Sequence, residues 1–229
     1  MRSLTLFGVV LMATGLALRL SRAEPIRGAA ADETRAAVPM PDEPPLVSWS
    51  ELAQHPCQWL GRRVRVRMQV QSRMTDWNPY LTRFGTGQFQ AIQGWSDEQF
   101  PWIESEYDTP QVRVFARRGT LADRELASVK SYSRYEMRGV VREVFLDLPW
   151  IEIEDARSMT DAISEATVIH AGRALDLMNQ KAWRLAELEF EQALGGPLPD
   201  PALIELERLR EACRHAESTE AEPEAKKKR

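Results

Sequence analysis

The sequence predicts an α+β protein in which five β-strands, with one helix between the third and the fourth, precede a helical C-terminal segment. Two observations carry this prediction. Between about residues 62 and 154, apolar residues alternate with polar ones, as expected of strands that bury one face. From residue 161 onward the apolar residues recur every three or four positions, which is typical of amphipathic helices.

The folded part opens with a short helix and a long strand. Ser48 and Glu51 have the spacing of a capping box, and Pro56 ends the helix that they begin. The segment 62–71 then alternates strictly, so it is predicted to be a strand. Its buried face consists of Val64, Val66, Met68 and Val70.

The second and third strands are predicted over 88–95 and 111–117. In the third strand Val112, Val114 and Ala116 share one face. Thr120 then caps a helix that runs to about residue 130.

The fourth strand is predicted over 132–146 and the fifth over 150–154, with the turn Asp147-Leu148-Pro149 between them. Along the fourth strand the apolar residues change face near Gly139. A change of this kind indicates a β-bulge.

The order of three strands, a helix and two strands resembles an OB-fold, which is a small closed barrel of five strands. The motif Tyr135-x-Met137-x-Gly139-Val140-Val141 adds a glycine-bearing fourth strand to the resemblance. The resemblance covers roughly residues 58–157 and is to OB domains of exported bacterial proteins. It implies a small OB-like barrel, whose loops between strands 1 and 2 and between strands 4 and 5 border a ligand-binding face.

Three helices are predicted after the barrel, over 161–179, 182–194 and 200–213. The spacing of Ala186, Phe190, Ala193 and Leu194 resembles the second helix of a tetratricopeptide repeat, in which large and small residues alternate and allow close packing. The first-helix pattern of that repeat is missing and no second repeat follows. An ordinary three-helix extension that covers the barrel therefore stays open as an alternative.

The predicted domain organisation has five parts. They are a signal peptide (1–23), a disordered linker (24–46), the OB-like barrel (47–157), the helical tetratricopeptide-like extension (158–215) and a disordered charged tail (216–229). The proline-rich linker and the tail of alternating acids and lysines offer little apolar surface to bury.

The N-terminus predicts a location outside the cytoplasm, either periplasmic or secreted. Arg2, an apolar run to Leu18 and the exit Ser21-Arg22-Ala23 are typical of a cleaved secretory signal. The alternative is an uncleaved segment that anchors the chain to the membrane; after cleavage we expect no stable membrane insertion. Cleavage would remove three arginines and no acids, which takes the formal charge from −4 to −7 and disfavours general binding to phosphate backbones.

The stretch 76–108 holds eight of the 18 aromatic residues of the chain. Exposed rings stack on bases or on sugar faces, whereas rings that pack between barrel and helices form core, and both interpretations stay open. The loops that the resemblance assigns to the ligand-binding face carry the candidate residues Trp77, Tyr80, Arg83, Phe84 and Trp150.

A row of arginines forms a second candidate surface. Arg63, Arg65 and Arg67 share the outward face of the first strand and could follow a phosphate backbone. The alternative is that they pair with acids on neighbouring strands, for which Glu152 and Glu154 are candidates.

Metal-binding and catalytic signatures are missing from the sequence. The acidic segment 97–108 lacks the ligand spacing of a calcium loop, and nothing completes a zinc site around His55 and Cys57. The serine-hydrolase elbow, the phosphate-binding glycine loop and the Cys-x-x-Cys pair are absent. We therefore expect no catalytic residues, no metal and no cofactor. Cys57 and Cys213 are expected to be small buried hydrophobes, with a disulfide as the alternative.

These observations favour a non-enzymatic binding or scaffold protein outside the cytoplasm, whose helical extension docks a protein partner. The second hypothesis is a module that binds single-stranded nucleic acid or an oligosaccharide. The third is an unrecognised hydrolase, since the absence of known motifs is weak evidence against activity.

Overall fold

The structure, a computed structural model, describes residues 43–74, 82–145 and 147–227, with side chains up to residue 219. All of these residues belong to one compact unit. The predicted signal peptide and residues 24–42 of the predicted linker lie outside the described residues. Within the described part of the chain, no helix is both long enough and apolar enough to cross a membrane.

Five strands form a closed barrel in the order β1-β2-β3-β5-β4, which confirms the predicted OB-like barrel. The strands are β1 (Arg63–Met74), β2 (Phe89–Trp95), β3 (Val112–Arg117), β4 (Arg134–Phe145) and β5 (Leu148–Ser158). All paired strands are antiparallel except β3 and β5, which run parallel. β1 is long enough to pair with β4 through its first half and with β2 through its second half.

Helices occupy the connections and the C-terminal segment. They are α1 (Trp49–Gln54), α2 (Pro56–Trp59), α3 (Glu104–Tyr107), α4 (Leu121–Ser128), α5 (Glu165–Asn179), α6 (Trp183–Ala193) and α7 (Asp200–Lys227). Ser48 caps α1 and Thr120 caps α4, because each side chain accepts a hydrogen bond from the backbone three residues later. α7 extends beyond residue 216, where the predicted charged tail begins.

The barrel interior is aliphatic and follows the predicted alternation. The inward face of β1 is fully buried, and the other strands and α4 complete a single core. Representative core residues are Val64, Val66, Met68, Ile92, Val112, Val114, Leu126, Met137 and Ile151. Burial of these side chains supplies the main driving force for closing the barrel.

Two glycines permit the close approach of neighbouring strands. A Cβ atom on Gly94 would lie 2.1 Å from the carbonyl oxygen of Gln69, and one on Gly139 would lie 2.4 Å from that of Glu152. Both positions adjoin a bulge in the strand pairing, so the bulge predicted near Gly139 is confirmed. A side chain at either position would push two strands apart.

The three C-terminal helices share a second core. Small residues on α5 and α6 let these two helices pack closely, and α7 packs on α6. This core also receives Trp102, which belongs to the β2–β3 connection of the barrel. The residues fully buried in the helical core are Ala171, Ala174, Ala186, Phe190, Ala193, Leu206 and Cys213.

We expect that replacing Gly94 or Gly139 with alanine lowers the free energy of unfolding by about 1–3 kcal/mol, because the added methyl group meets backbone atoms that cannot move aside. The measurement is equilibrium unfolding in urea. Gly196→Ala is the matched control, since a Cβ atom there meets nothing within 4 Å. Equal stability of the Gly94→Ala variant and the control would show that the strands can separate without cost.

Candidate functional site

Buried polar contacts join the helical segment to the barrel. Gln69 on β1 is only 3% exposed, and its side-chain carbonyl accepts a hydrogen bond from the Ile163 backbone N–H at 2.8 Å. Its amide group donates in return to the Ile163 carbonyl oxygen. The Gln69 side chain therefore pairs with both the N–H and the carbonyl group of Ile163, just before α5, and fixes the position of Ile163 against the barrel.

Arg134 on β4 forms the second contact. Its side chain is 3% exposed and binds Asp97 with two nitrogens, Nε to Oδ1 at 2.9 Å and Nη2 to Oδ2 at 2.5 Å. Its remaining Nη1 donates to Asp161. Burial lowers the pKa of Arg134, but the hydrogen bonds and charges of the two aspartates outweigh burial and raise it overall. The guanidinium thus stays charged and holds the β2–β3 connection and the start of the helical segment together.

Four rings cover the outside of the barrel and are called the aromatic face here: Phe84, Phe89, Phe115 and Trp150. Phe84 stacks on Phe115 at 4.2 Å between ring centroids and meets Phe89 edge-on at 5.1 Å. Phe89, Phe115 and Trp150 are each at most 5% exposed. These rings stabilise the structure through their contacts with one another, and only Phe84 retains partial exposure.

Three arginines lie over the aromatic face. Arg83 stacks on Phe84 at 5.3 Å, Arg117 on Phe89 at 5.1 Å and Arg113 on Trp150 at 5.8 Å, within cation–π range. Burial lowers the pKa of Arg113.

The three arginines differ in their acidic neighbours. Arg83 lies 3.8 Å from Glu143, which also accepts a hydrogen bond from Thr82 at 2.7 Å and so ties the β1–β2 loop to β4. Among the described residues, neither Arg113 nor Arg117 has an acid within ion-pair distance. The aromatic face therefore carries two cations that the described part of the fold does not neutralise.

The arginine row on β1, by contrast, is paired with acids. Arg63 binds Glu154 at 3.1 Å, as predicted for that pair, whereas Glu152 binds Arg142 instead. Arg65 and Arg67 both bind the Glu136 side chain on β4, at 3.2 and 3.3 Å.

Arg65 has one further acidic partner, and Arg67 lies beside two clefts. Arg65 also binds Glu43 at 2.8 Å. Arg67 lines two clefts of about 340 and 330 Å³. With its acids in place, the row presents little free positive charge to a phosphate backbone.

Three carboxylates of the acidic segment 97–108, those of Asp97, Glu98 and Glu106, serve the fold. Asp97 binds Arg134, and Glu98 accepts hydrogen bonds from the backbone N–H and the hydroxyl of Ser50 at 3.0 and 2.8 Å. Glu106 accepts from the Phe100 backbone N–H at 2.5 Å. Within the described residues, no group of three or more His, Cys, Asp or Glu side chains is arranged to hold a metal ion.

The helical segment exposes apolar side chains that its own core does not use. Leu185 and Leu188 lie one turn apart on α6 and are 55% and 42% exposed. Ile169 on α5 and Ile204 on α7 are 44% and 66% exposed. Apolar side chains as exposed as these are typical of surfaces that contact another protein when they lie next to one another, as the pair on α6 does.

A buried carboxylate of α6 binds an arginine of α7 and so helps to hold the two helices together. Glu187 is 4% exposed and binds Arg184 at 2.6 Å and Arg214 at 2.5 Å. The hydrogen bond from Arg214 lowers the pKa of Glu187, and Arg184 adds to this effect, although burial opposes it. The exposed leucines of α6 therefore lie on a helix that an ion pair holds against α7.

The predicted ligand-binding residues separate into two groups in the structure. Arg83, Phe84 and Trp150 belong to the aromatic face and its arginines, whereas Arg63, Arg65 and Arg67 lie on the half of β1 that pairs with β4. Trp77 and Tyr80 lie outside the described residues.

Sequence reasoning missed two features of the structure, the outward face of β3 and the burial of Arg134. Arg113, Phe115 and Arg117 share the outward face of β3, and the alternation of Val112, Val114 and Ala116 already contained that signal. No local pattern indicated that Arg134 is buried, because its partners lie 37 and 27 residues away.

The two cysteines are unpaired and differ in environment. Cys213 is buried in the helical core, where burial and the charge of Glu187 raise the pKa of its thiol. Cys57 is exposed on α2, so the expectation that both are buried is wrong for this residue. The reason is that α2 is a single turn whose one buried residue is Pro56.

We expect Arg134→Met to lower the free energy of unfolding by about 3 kcal/mol, because it leaves Asp97 and Asp161 close together without their cation. Urea unfolding followed by circular dichroism measures this loss. Arg63→Met is the control: its side chain is 68% exposed, and such a surface ion pair contributes about 1 kcal/mol or less. Similar losses in the two variants would mean that the ionic contact does not hold the helices.

No protein-family model matches this chain, and no curated protein matches it either.

Proposed function

We propose that this protein is a non-enzymatic binding or scaffold protein that acts outside the cytoplasm. In this proposal the barrel is a rigid support and the helical segment docks a protein partner. The predicted signal peptide supports the location. The close packing of α5 on α6 through alanines supports a tetratricopeptide-like hairpin, a unit suited to protein contacts.

The observation that carries the proposal is the exposed pair Leu185 and Leu188 on α6. Each leucine leaves apolar surface in water that burial against a partner would remove, at about 25 cal/mol per Å². The ion pair between the buried Glu187 of α6 and Arg214 of α7 holds the helix that carries them, so a partner would meet a preformed surface and lose little conformational entropy.

The state of the barrel surface also favours a protein partner over a stacked flat ligand. Stacking on bases or sugars needs exposed rings, whereas Phe89, Phe115 and Trp150 are buried. Phosphate binding needs free cations, whereas the arginine row on β1 is paired with acids.

We expect the double variant Leu185→Glu/Leu188→Glu to reduce capture of a defined protein partner from native envelope extract by about tenfold, because the charges would be buried against apolar groups of the partner. The amount of captured partner is measured by quantitative mass spectrometry. Both leucines are exposed, so the fold should tolerate the change.

The matched control is Leu60→Glu/Leu121→Glu. These leucines are 52% and 60% exposed but lie on the α2–β1 connection and on α4 of the barrel. A partner that is captured equally poorly by both double variants would point to a general charge effect. A partner retained by the α6 variant would overturn the proposal.

A second candidate function is binding of single-stranded nucleic acid or an oligosaccharide on the aromatic face. The observation that favours it is the pair Arg113 and Arg117, which have no acidic partner among the described residues and lie over aromatic rings. Cations beside rings can hold a phosphate or a sugar hydroxyl next to a stacked ring.

For this candidate we expect salt-dependent retention on an immobilised single-stranded oligonucleotide. Arg113→Ala/Arg117→Ala should reduce the slope of log affinity against log salt by about 0.7 for each phosphate that the variant no longer neutralises. Arg63→Ala, which removes an arginine already paired with Glu154, should leave the slope unchanged. Retention on an immobilised oligosaccharide that ignores salt but falls with Phe84→Ala would indicate a sugar ligand, and no retention on either matrix would exclude this candidate.

A further inference from the structure

An apolar groove of about 480 Å³ runs between the β2–β3 connection and α5. The connection contributes Trp102, Ile103 and Glu104, and α5 contributes Val168, Leu175 and Asp176. Trp102 is buried in the helical core and stacks on Phe100 at 5.0 Å, so this wall of the groove is held in place by packing. The groove is a feature of the junction between barrel and helices and is separate from the leucine pair on α6.

The charged groups at the groove are all acidic. Glu104 and Asp176 line it, both are exposed, and no lysine or arginine of the described residues lines it with them. Within the described part of the chain, neither acid has an ion-pair partner. Two such carboxylates beside an apolar surface are complementary to a segment that carries a cation next to apolar side chains.

Gly172 of α5 also lines the groove. A larger side chain at this position would fill the groove. A Cβ atom on Gly172 would find only the Trp102 carbonyl oxygen, at the ordinary contact distance of 3.8 Å. An alanine therefore fits at this position, and it should also favour the helix by about 0.5–1 kcal/mol. A phenylalanine at the same position would project its ring into the space that a docked segment would need.

We infer that this groove is a docking site for a protein segment in which apolar side chains lie next to lysine or arginine. The inference rests on the proposed function, in that it gives the helical segment a second contact and states the chemistry of the partner. The apolar side chains of that segment would enter between Ile103 and Leu175. Its cation would lie between Glu104 and Asp176.

Selection of random linear peptides, displayed on phage, against the immobilised full chain tests the inference. We expect the selected peptides to combine leucine, isoleucine or phenylalanine with lysine or arginine. Binding of the best selected peptide, carrying a fluorescent label, is then measured by anisotropy. Gly172→Phe should weaken it by about tenfold or more, whereas Gly172→Ala should leave it unchanged.

A charge reversal provides an independent variant that does not rely on filling the groove. Glu104→Lys/Asp176→Lys changes two exposed side chains and should leave the thermal unfolding midpoint nearly unchanged. We expect it to abolish binding of the basic peptides, and selection against this variant should enrich acidic ones. Basic peptides that bind the charge-reversed chain as tightly as the original would overturn the inference.

The leucine pair on α6 separates failure of this inference from failure of the proposed function. Peptides that stop binding with Leu185→Glu/Leu188→Glu, but not with Gly172→Phe, would overturn the groove and leave the proposed function in place. Failure of the full chain both to enrich any peptide and to capture any partner from envelope extract would overturn both.

Discussion

The placement of the helical segment depends on one buried cation, the guanidinium of Arg134. A buried arginine without partners costs several kcal/mol, and Asp97 and Asp161 offset this cost by binding the guanidinium. These acids belong to the β2–β3 connection and to the segment before α5, which the guanidinium therefore brings together. Gln69 adds a directional constraint through its two hydrogen bonds to Ile163. Since hydrogen bonds tolerate little displacement, these two bonds fix the position of Ile163, just before α5, against β1.

The barrel contributes rigidity more than accessible chemistry. Its interior is aliphatic, and Gly94 and Gly139 let the strands approach closely enough for it to close. On its outer surface the rings of the aromatic face pack on one another, and Asp97, Glu98 and Glu106 bind groups of the fold. The aromatic and acidic side chains that suggest ligand binding in the sequence are thus mostly engaged in contacts within the fold. Arg113 and Arg117, which no acid of the described residues neutralises, differ from this pattern.

The helical segment, in contrast to the barrel, exposes side chains that its own core does not use. Its core is filled by small residues, Phe190 and Trp102, yet leucines on α6 are exposed and the two acids beside the groove have no ion pair among the described residues. An apolar surface exposed on a firmly held helix is costly for an isolated chain and useful for binding, since little order has to be created when a partner docks. The contrast between a barrel whose charged and aromatic side chains are mostly engaged and a helical segment that exposes apolar side chains is the physical basis of the proposed division of roles.

The sequence by itself determined the five strands, α1, α4 and the three C-terminal helices, because alternation, helical periodicity, Ser48 and Thr120 as caps and the bulge at Gly139 are all local signals. It also predicted the closed barrel, through the order of the strands. It did not predict the single-turn helices α2 and α3. Tertiary structure alone decided which polar side chains are buried and what they bind. Arg134 and Gln69 look like ordinary outward-facing strand residues, and Trp102 looks like part of an exposed loop. Their partners lie tens of residues away, so only the folded chain brings them together, and that same long-range packing creates the groove and buries the rings that the sequence offers as a binding site.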